Sequence, residues 1–462
     1  MVRKSVIFTN IIIINHTTYL DMTFFRHLTL TVLAVSLLQT GAFAQPRPVN
    51  YDEAAVAPYT LEDPLIFANG EKVRTKSQWA QRRKEILGIF QREMYGVAPP
   101  KGEGVFLETL EEGPSLAGQG HRRQVRMWFR SDKTGPSVDW LIVTPGNAKG
   151  PVPVVLFLNY SGNHDVLPDK EILVPDCWMS GLFGEVDHKA SEATRGRFNR
   201  DGEITVYPVG ALAARGYAVV TACYCDISPD PSNRDEENGV KLQDSFAYTG
   251  IFDLWGPRDP SRDDNTTSLM AWAWTLSRGM DMIQEDPALD QTKVILTGYS
   301  RLAKAALIAG AFDERFPVTV PVQTGGGGVP LAKRDFGETV ATEVVSFRHW
   351  YCRAYDKYAD NTGAMPFDQH LLLACIAPRA LLVEGFDQGW FDTKGEYLSV
   401  KAASPVWKFL GDKGLPKSEW PDDYDTSAIG RSLGYVRRAG DHGISPIDWT
   451  WMLDFAENFW KK

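Results

Sequence analysis

Short apolar runs alternate with longer segments of helical period along most of the chain. Residues 152–158 (VPVVLFL) are almost continuously apolar, the pattern of a strand buried on both faces. Residues 217–223 (YAVVTAC) repeat that character, and 294–297, 318–322, 380–384 and 433–436 read as further strands. Between them, 268–285 and 302–312 have helical length and period, an amphipathic helix is predicted over 77–95, and 448–460 closes the chain as a helix. Strand and helix in alternation predict a mostly parallel central sheet with helices on both faces, a three-layer α/β sandwich. No internal repeat or flexible linker interrupts this region. One large domain over 45–462, with long insertions between core elements, is the expectation.

The first 44 residues break the pattern. Arg26 and His27 precede an apolar run over 28–38, and Ala42-Phe43-Ala44 supplies the small residues a signal peptidase reads. This segment is expected to be a secretory signal initiated at Met22 and removed before Gln45. The run is too short to span a bilayer comfortably, and no later stretch of about 18 apolar residues appears, so no membrane span is expected in the mature protein.

Composition narrows the partners. The 462 residues carry a formal net charge of −9, which argues against nucleic acid and against an anionic membrane surface. The five cysteines are an odd number with no C-x-x-C pair, so neither a zinc site nor a disulfide framework is signalled. Cys223 and Cys225 read as alternate positions of one strand, facing the same side as buried thiols.

The sharpest chemistry lies in Lys293-Val294-Ile295-Leu296-Thr297-Gly298-Tyr299-Ser300-Arg301. A buried strand ends at a glycine, a serine follows two residues later, and an alanine-rich helix starts at once. That is the setting of a nucleophile elbow, whose tight turn lifts the hydroxyl above the sheet and sets it at a helix N-terminus with free N–H groups. The other reading of Ser300 is a simple helix N-cap. A base should follow downstream. His349 and His370 lie in aromatic-rich, helix-like stretches. His442, in Gly440-Asp441-His442-Gly443, sits in a loop between the last strand and the last helix, and is the candidate base.

At this point the chain resembles a known family. Gly298-Tyr299-Ser300-Arg301-Leu302-Ala303-Lys304 is similar to the G-x-S-R-x-G-K signature of the glucuronoyl esterases, carbohydrate esterase family 15, in its bacterial branch. The resemblance extends through Asn159-Tyr160-Ser161-Gly162-Asn163-His164, Ala271-Trp272-Ala273-Trp274, Phe336-Gly337-Glu338-Thr339, His349-Trp350 and Ala377-Pro378-Arg379 to Gly440-Asp441-His442. It implies an α/β-hydrolase fold and hydrolysis of the ester between 4-O-methyl-glucuronic acid on glucuronoxylan and a lignin alcohol. By position, Ser300 would attack the uronate carbonyl, Arg301 would stabilise the oxyanion, and His442 would be the base. Lys304 and Glu338 would hold sugar hydroxyls and Trp390 would line the sugar pocket. The residue chemistry agrees: a guanidinium brings permanent charge beside the nucleophile, and Lys304 lies one helical turn beyond Ser300. Lys304 could instead be a surface lysine, Glu338 a helix N-terminal carboxylate, and Trp390 plain core.

The triad acid departs from the family. One family position is Gln323 here, before Thr324-Gly325-Gly326-Gly327-Gly328; the other is Gln388, two residues before Trp390. Asp387 adjoins it, and a one-residue slip in a loop can be absorbed, so Asp387 is the expected acid with Asp392 and Glu384 in reserve. The expected chemistry is acyl transfer without metal or organic cofactor, by a secreted or periplasmic monomer. Two other readings stand beside it: an esterase for acetylated xylan, and a degenerate member that binds uronate glycans with little turnover.

Overall fold

The computed structural model describes residues 49–182, 187–199, 206–387 and 389–461. The expected signal segment and Gln388 lie outside the described residues. Nine strands form one sheet: β1 (Phe106–Ser115), β2 (Gly120–Trp128), β3 (Ser137–Pro145), β4 (Val152–Asn159), β5 (Ala218–Cys223), β6 (Leu289–Tyr299), β7 (Val318–Val322), β8 (Ala380–Phe386) and β9 (Leu433–Arg438). In space the order is β1-β2-β3-β5-β4-β6-β7-β8-β9. Neighbours from β1 to β5 are antiparallel, and those from β5 to β9 are parallel. The sheet is mostly parallel, as the alternation of elements predicted, and it is the α/β-hydrolase sheet that the resemblance implied.

Side chains alternate across it with period two. On β4, Val154, Leu156 and Leu158 enter one core, while Val155 and Phe157 enter the other. The first core is covered by α1 (Lys76–Phe90), α2 (Ser268–Glu285), α3 (Arg301–Phe312) and α4 (Thr393–Leu410). The second is covered by the short helix Val209–Ala214 and by α5 (Pro446–Trp460). Both layers bury large side chains, Trp140 and Trp272 on one and Phe157 on the other, each worth about 1.5–3 kcal/mol relative to exposure.

The helices start where capping chemistry dictates. Thr267 accepts from Met270 N–H to open α2, and the Asp448 carboxylate accepts from Ser445 N–H at 2.7 Å, with Pro446 as the first helical residue, to open α5. The buried face of α3 is largely alanine (Ala303, Ala305, Ala306, Ala309), so the helix lies close against the sheet. A larger residue there would overpack, at about 1–3 kcal/mol.

Three features differ from the sequence reading. The β1–β3 meander was not anticipated, because its strands carry many charges; pairs such as Glu108 opposite Arg126 offset one another across the ladder. Helix α4 was also missed, and Pro405 inside it breaks the usual signal. Cys223 and Cys225 do not share a strand: β5 ends at Cys223, and Tyr224–Ile227 is a helical turn. Both thiols are buried.

Candidate active site

Four parallel strands end together. Tyr299 pairs with Val322, Val322 with Glu384, and Phe386 with Arg438. Their C-terminal ends therefore bring the start of α3, the loop after β7, the turn after β8 and the loop after β9 to one rim, where open α/β sheets carry their sites.

Ser300 stands at the β6–α3 junction with φ 57 and ψ −133, a strained conformation for a residue with a side chain. Its N–H donates to the Val322 carbonyl at 3.0 Å, and its own carbonyl accepts from Ala303 and Lys304. Gly298 is required by close approach: a Cβ there would lie 2.6 Å from the Leu302 carbonyl oxygen. The buried Tyr160 hydroxyl donates to the Tyr299 carbonyl at 2.8 Å and also meets the Ser300 side chain and Leu302 backbone. Ser300 itself is half-buried, open to the rim.

Arg301 is clamped. Its Nη1 donates to Asp230 Oδ2 at 2.6 Å, and the Tyr224 hydroxyl donates to the same oxygen at 2.9 Å. His349 Nε2 and Trp350 Nε1 donate to Asp230 Oδ1 at 2.7 and 2.8 Å. The guanidinium also lies 4.8 Å from the Trp350 ring centroid, a cation–π contact. Burial raises the Asp230 pKa, but Arg301, His349 and Trp350 outweigh it and hold the carboxyl below its usual range. Burial opposes the Arg301 charge, and Asp230 restores it. The result is a fixed positive charge one residue from Ser300.

Lys304, on the same helix, is buried and pairs with Glu338 Oε2 at 3.4 Å, with its ammonium 5.0 Å from the Trp350 ring centroid. Glu338 N–H donates to the Trp390 carbonyl at 2.8 Å, which ties the turn carrying half-buried Trp390 to this pair. The glycine run after β7 wraps over the same carboxylates. At Gly325, with φ +66, a Cβ would sit 2.5 Å from Glu338 Oε2. Beneath lies Glu343, whose pKa burial pushes up to about 8 against the pull of Lys304.

His442 faces this rim from the β9–α5 loop. Its ring stacks on Phe391 with centroids 4.4 Å apart and tilts against Phe386 and Tyr299 at 5.4 and 5.8 Å. The residue is nonetheless exposed to solvent. Partial burial, then Arg301, Arg438 and Lys304, lower its pKa to about 4. The imidazole is thus neutral at ordinary pH. Its Nδ1 donates to Gln323 Oε1 at 2.9 Å.

The geometry places the three candidate acids away from His442 Nδ1. The Asp387 side chain is 65% exposed and, among the described residues, lies 3.7 Å from Arg437. Its N–H still bonds the Arg438 carbonyl at 3.0 Å, so strand pairing continues past Phe386 and the one-residue offset is not absorbed. Phe386, not Asp387, packs against His442. Asp392 is committed elsewhere: it caps α4 through Gly395 N–H and accepts from Arg334 Nε at 2.8 Å. Glu384 is fully buried beside Asp448 and Arg438, and its pKa is raised well above the carboxylate range, first by burial.

The structure brings Ser300, Arg301, Lys304, Glu338, Trp390 and His442 to one rim and leaves Asp387 outside it. Sequence reasoning missed Asp230, which lies 71 residues from Arg301 and 119 from His349 in an acid-rich loop with no local signal. It also set aside His349, whose ring is spent on Asp230, and His370, which bonds the Glu62 carbonyl at 2.7 Å.

A strained serine at a strand–helix elbow, flanked by a clamped arginine on this sheet, defines a carboxylic ester hydrolase of the α/β-hydrolase fold. The comparisons with known proteins give the family. Residues 241–411 match the family model for fungal glucuronyl esterases. A carbohydrate esterase of an unknown prokaryotic organism is 37% identical over 424 residues, covering 90% of this chain and 93% of that one. The solved glucuronoyl esterase of Solibacter usitatus superposes with a TM-score of 0.79 at 33% identity, covering 88% of this chain and all of that one. A 4-O-methyl-glucuronoyl methylesterase of Schizophyllum commune is 27% identical over 426 residues, 86% of this chain and 88% of that one. The chain belongs to the glucuronoyl esterases of carbohydrate esterase family 15.

Proposed function

We propose that this enzyme hydrolyses esters of 4-O-methyl-glucuronic acid on glucuronoxylan, including those to lignin alcohols, with Ser300 as nucleophile and His442 as base. His442 Nε2 takes the Ser300 proton as Oγ attacks the ester carbonyl. The oxyanion forms at the N-terminus of α3, beside the positive end of the helix dipole and the Arg301 guanidinium, where fixed positive charge lowers the barrier most. Protonated His442 gives its proton to the leaving alcohol, and an acyl-enzyme remains on Ser300. Water, losing a proton to the same imidazole, then attacks the acyl carbonyl; the bond to Ser300 Oγ breaks, Oγ takes the proton from His442, and the uronic acid is released.

Lys304, Glu338 and Trp390 supply the sugar site in this reading. A paired ammonium and carboxylate offer both donors and acceptors to ring hydroxyls, and an indole offers an apolar face. Export through the 28–38 run, with cleavage before Gln45, and action as a monomer belong to the same proposal. The observation that supports it most is the backbone of Ser300, strained to φ 57 directly before the helix that carries Arg301 and Lys304.

The test compares kcat/KM on benzyl glucuronate with that on acetylated xylan, in the wild type and in Ser300→Ala. The proposal expects faster turnover of the uronate ester and loss of both activities in the variant. Faster deacetylation would make the enzyme an acetyl xylan esterase. Glycan binding without turnover, and without labelling by a fluorophosphonate, would make it a binding protein.

A further inference from the structure

The third member of the catalytic group is expected to be a carboxylate. Among the described residues no carboxylate bonds His442. The position is filled by Gln323, fully buried at the end of β7 with φ 53, a left-handed backbone that a glutamine adopts only when its surroundings impose it. The amide is held in one orientation. Oε1 accepts from His442 Nδ1 at 2.9 Å and from Gly443 N–H at 2.9 Å, while Nε2 donates to the Gly443 carbonyl at 2.9 Å. Reversing the amide would set donor against donor and acceptor against acceptor, so the oxygen must face the imidazole.

We infer that Gln323 is a positioning residue that replaces the triad acid: its amide oxygen fixes the Nδ1–H tautomer of His442 and leaves the Nε2 lone pair for Ser300. This rests on the proposed roles of Ser300 and His442. A neutral acceptor orients the ring as a carboxylate does, but it does not stabilise the imidazolium that forms when the serine proton is taken. The groups facing the ring sharpen the contrast. Arg301 and Lys304 on α3 and Arg438 on β9 are cationic. Phe386 and Phe391 after β8, and Tyr299 on β6, are uncharged. Glu338 is paired with Lys304, and Asp448 with Arg438. The site is thus built around a weakly basic histidine, and it operates at lower pH than one with a carboxylate behind the ring.

The test uses the full enzyme and three variants, Gln323→Ala, Gln323→Glu and Asp387→Ala, each checked for an unchanged melting curve. Two readouts are taken: kcat/KM against pH on benzyl glucuronate, and the rate of fluorophosphonate labelling of Ser300. Gln323→Ala should lower both roughly tenfold or more, the loss of one oriented hydrogen bond plus the tautomer it selects. Gln323→Glu should move the acid limb of the profile upward by about one pH unit or more, because a carboxylate beside the ring favours its charged form. In that variant a carboxylate oxygen faces the Gly443 carbonyl where Nε2 donated, and Arg438 Nη2, which also donates to that carbonyl, offsets the repulsion. Asp387→Ala should behave as the wild type. The inference is overturned if Asp387→Ala collapses both rates, if Gln323→Ala leaves them unchanged, or if the Gln323→Glu profile does not move. A wild type inert to both ester and fluorophosphonate would instead overturn the underlying esterase roles.

Discussion

Asp230 makes a strong prediction because one carboxylate gathers four donors. Asp230→Asn keeps the shape and removes the charge. The new amide has one oxygen, which must stay toward Trp350, because the indole N–H can only donate. Its NH2 group then faces Arg301 and Tyr224. The phenol can turn to accept, but the guanidinium can only donate and loses its partner. Removing one member of a buried pair costs about 3–5 kcal/mol. Arg301 is 17% exposed and keeps the Trp350 ring, so about 2–3 kcal/mol of stability is the expected loss. If Arg301 stabilises the oxyanion, its misplacement should also lower kcat by about 10–100-fold with little change in KM, each factor of ten being 1.36 kcal/mol of barrier. Urea unfolding by linear extrapolation gives the first quantity, and turnover of benzyl glucuronate gives the second. Full stability together with full activity would refute the clamp. Lost stability with unchanged kcat would leave the clamp and remove Arg301 from the reaction.

Three further predictions concern pH and the sugar site. The base must be neutral, so kcat/KM is full above the His442 pKa and is lost as pH falls through it; with solvent screening part of the shift, the midpoint should lie between about 4 and 6.5. Glu343 has a raised folded pKa, so its contribution to stability is fully present below its unfolded value and is lost progressively as pH rises from there to about 8; Glu343→Gln should flatten the fall in melting temperature between about pH 5 and 8. Lys304→Met should raise KM for benzyl glucuronate several-fold while leaving an aryl acetate, which lacks the sugar, unaffected.

Much of this was readable before the structure. The parallel strands announced themselves because burial on both faces demands unbroken apolar runs, and the elbow because a glycine, a serine and an alanine-rich helix must coincide there. Partners brought together by folding were not readable. Asp230 reaches Arg301 only because the β5 turn and α3 share a rim, and nothing near it in sequence marks it among neighbouring acids. The same limit bears on the acid. Asp387 lies in the right segment, but whether its side chain points at His442 depends on strand pairing past Phe386, and that pairing turns it outward. Gln323 was named in the sequence only as a place without a carboxylate, and its hydrogen bond to His442 became visible only with the fold.

The measurement that bears most directly on the mechanism is peptide mass mapping of the enzyme quenched in acid during turnover of benzyl glucuronate. The account predicts a glucuronoyl increment on the peptide containing Ser300, absent from Ser300→Ala. Sustained turnover with no adduct, or an adduct on another residue, would contradict it.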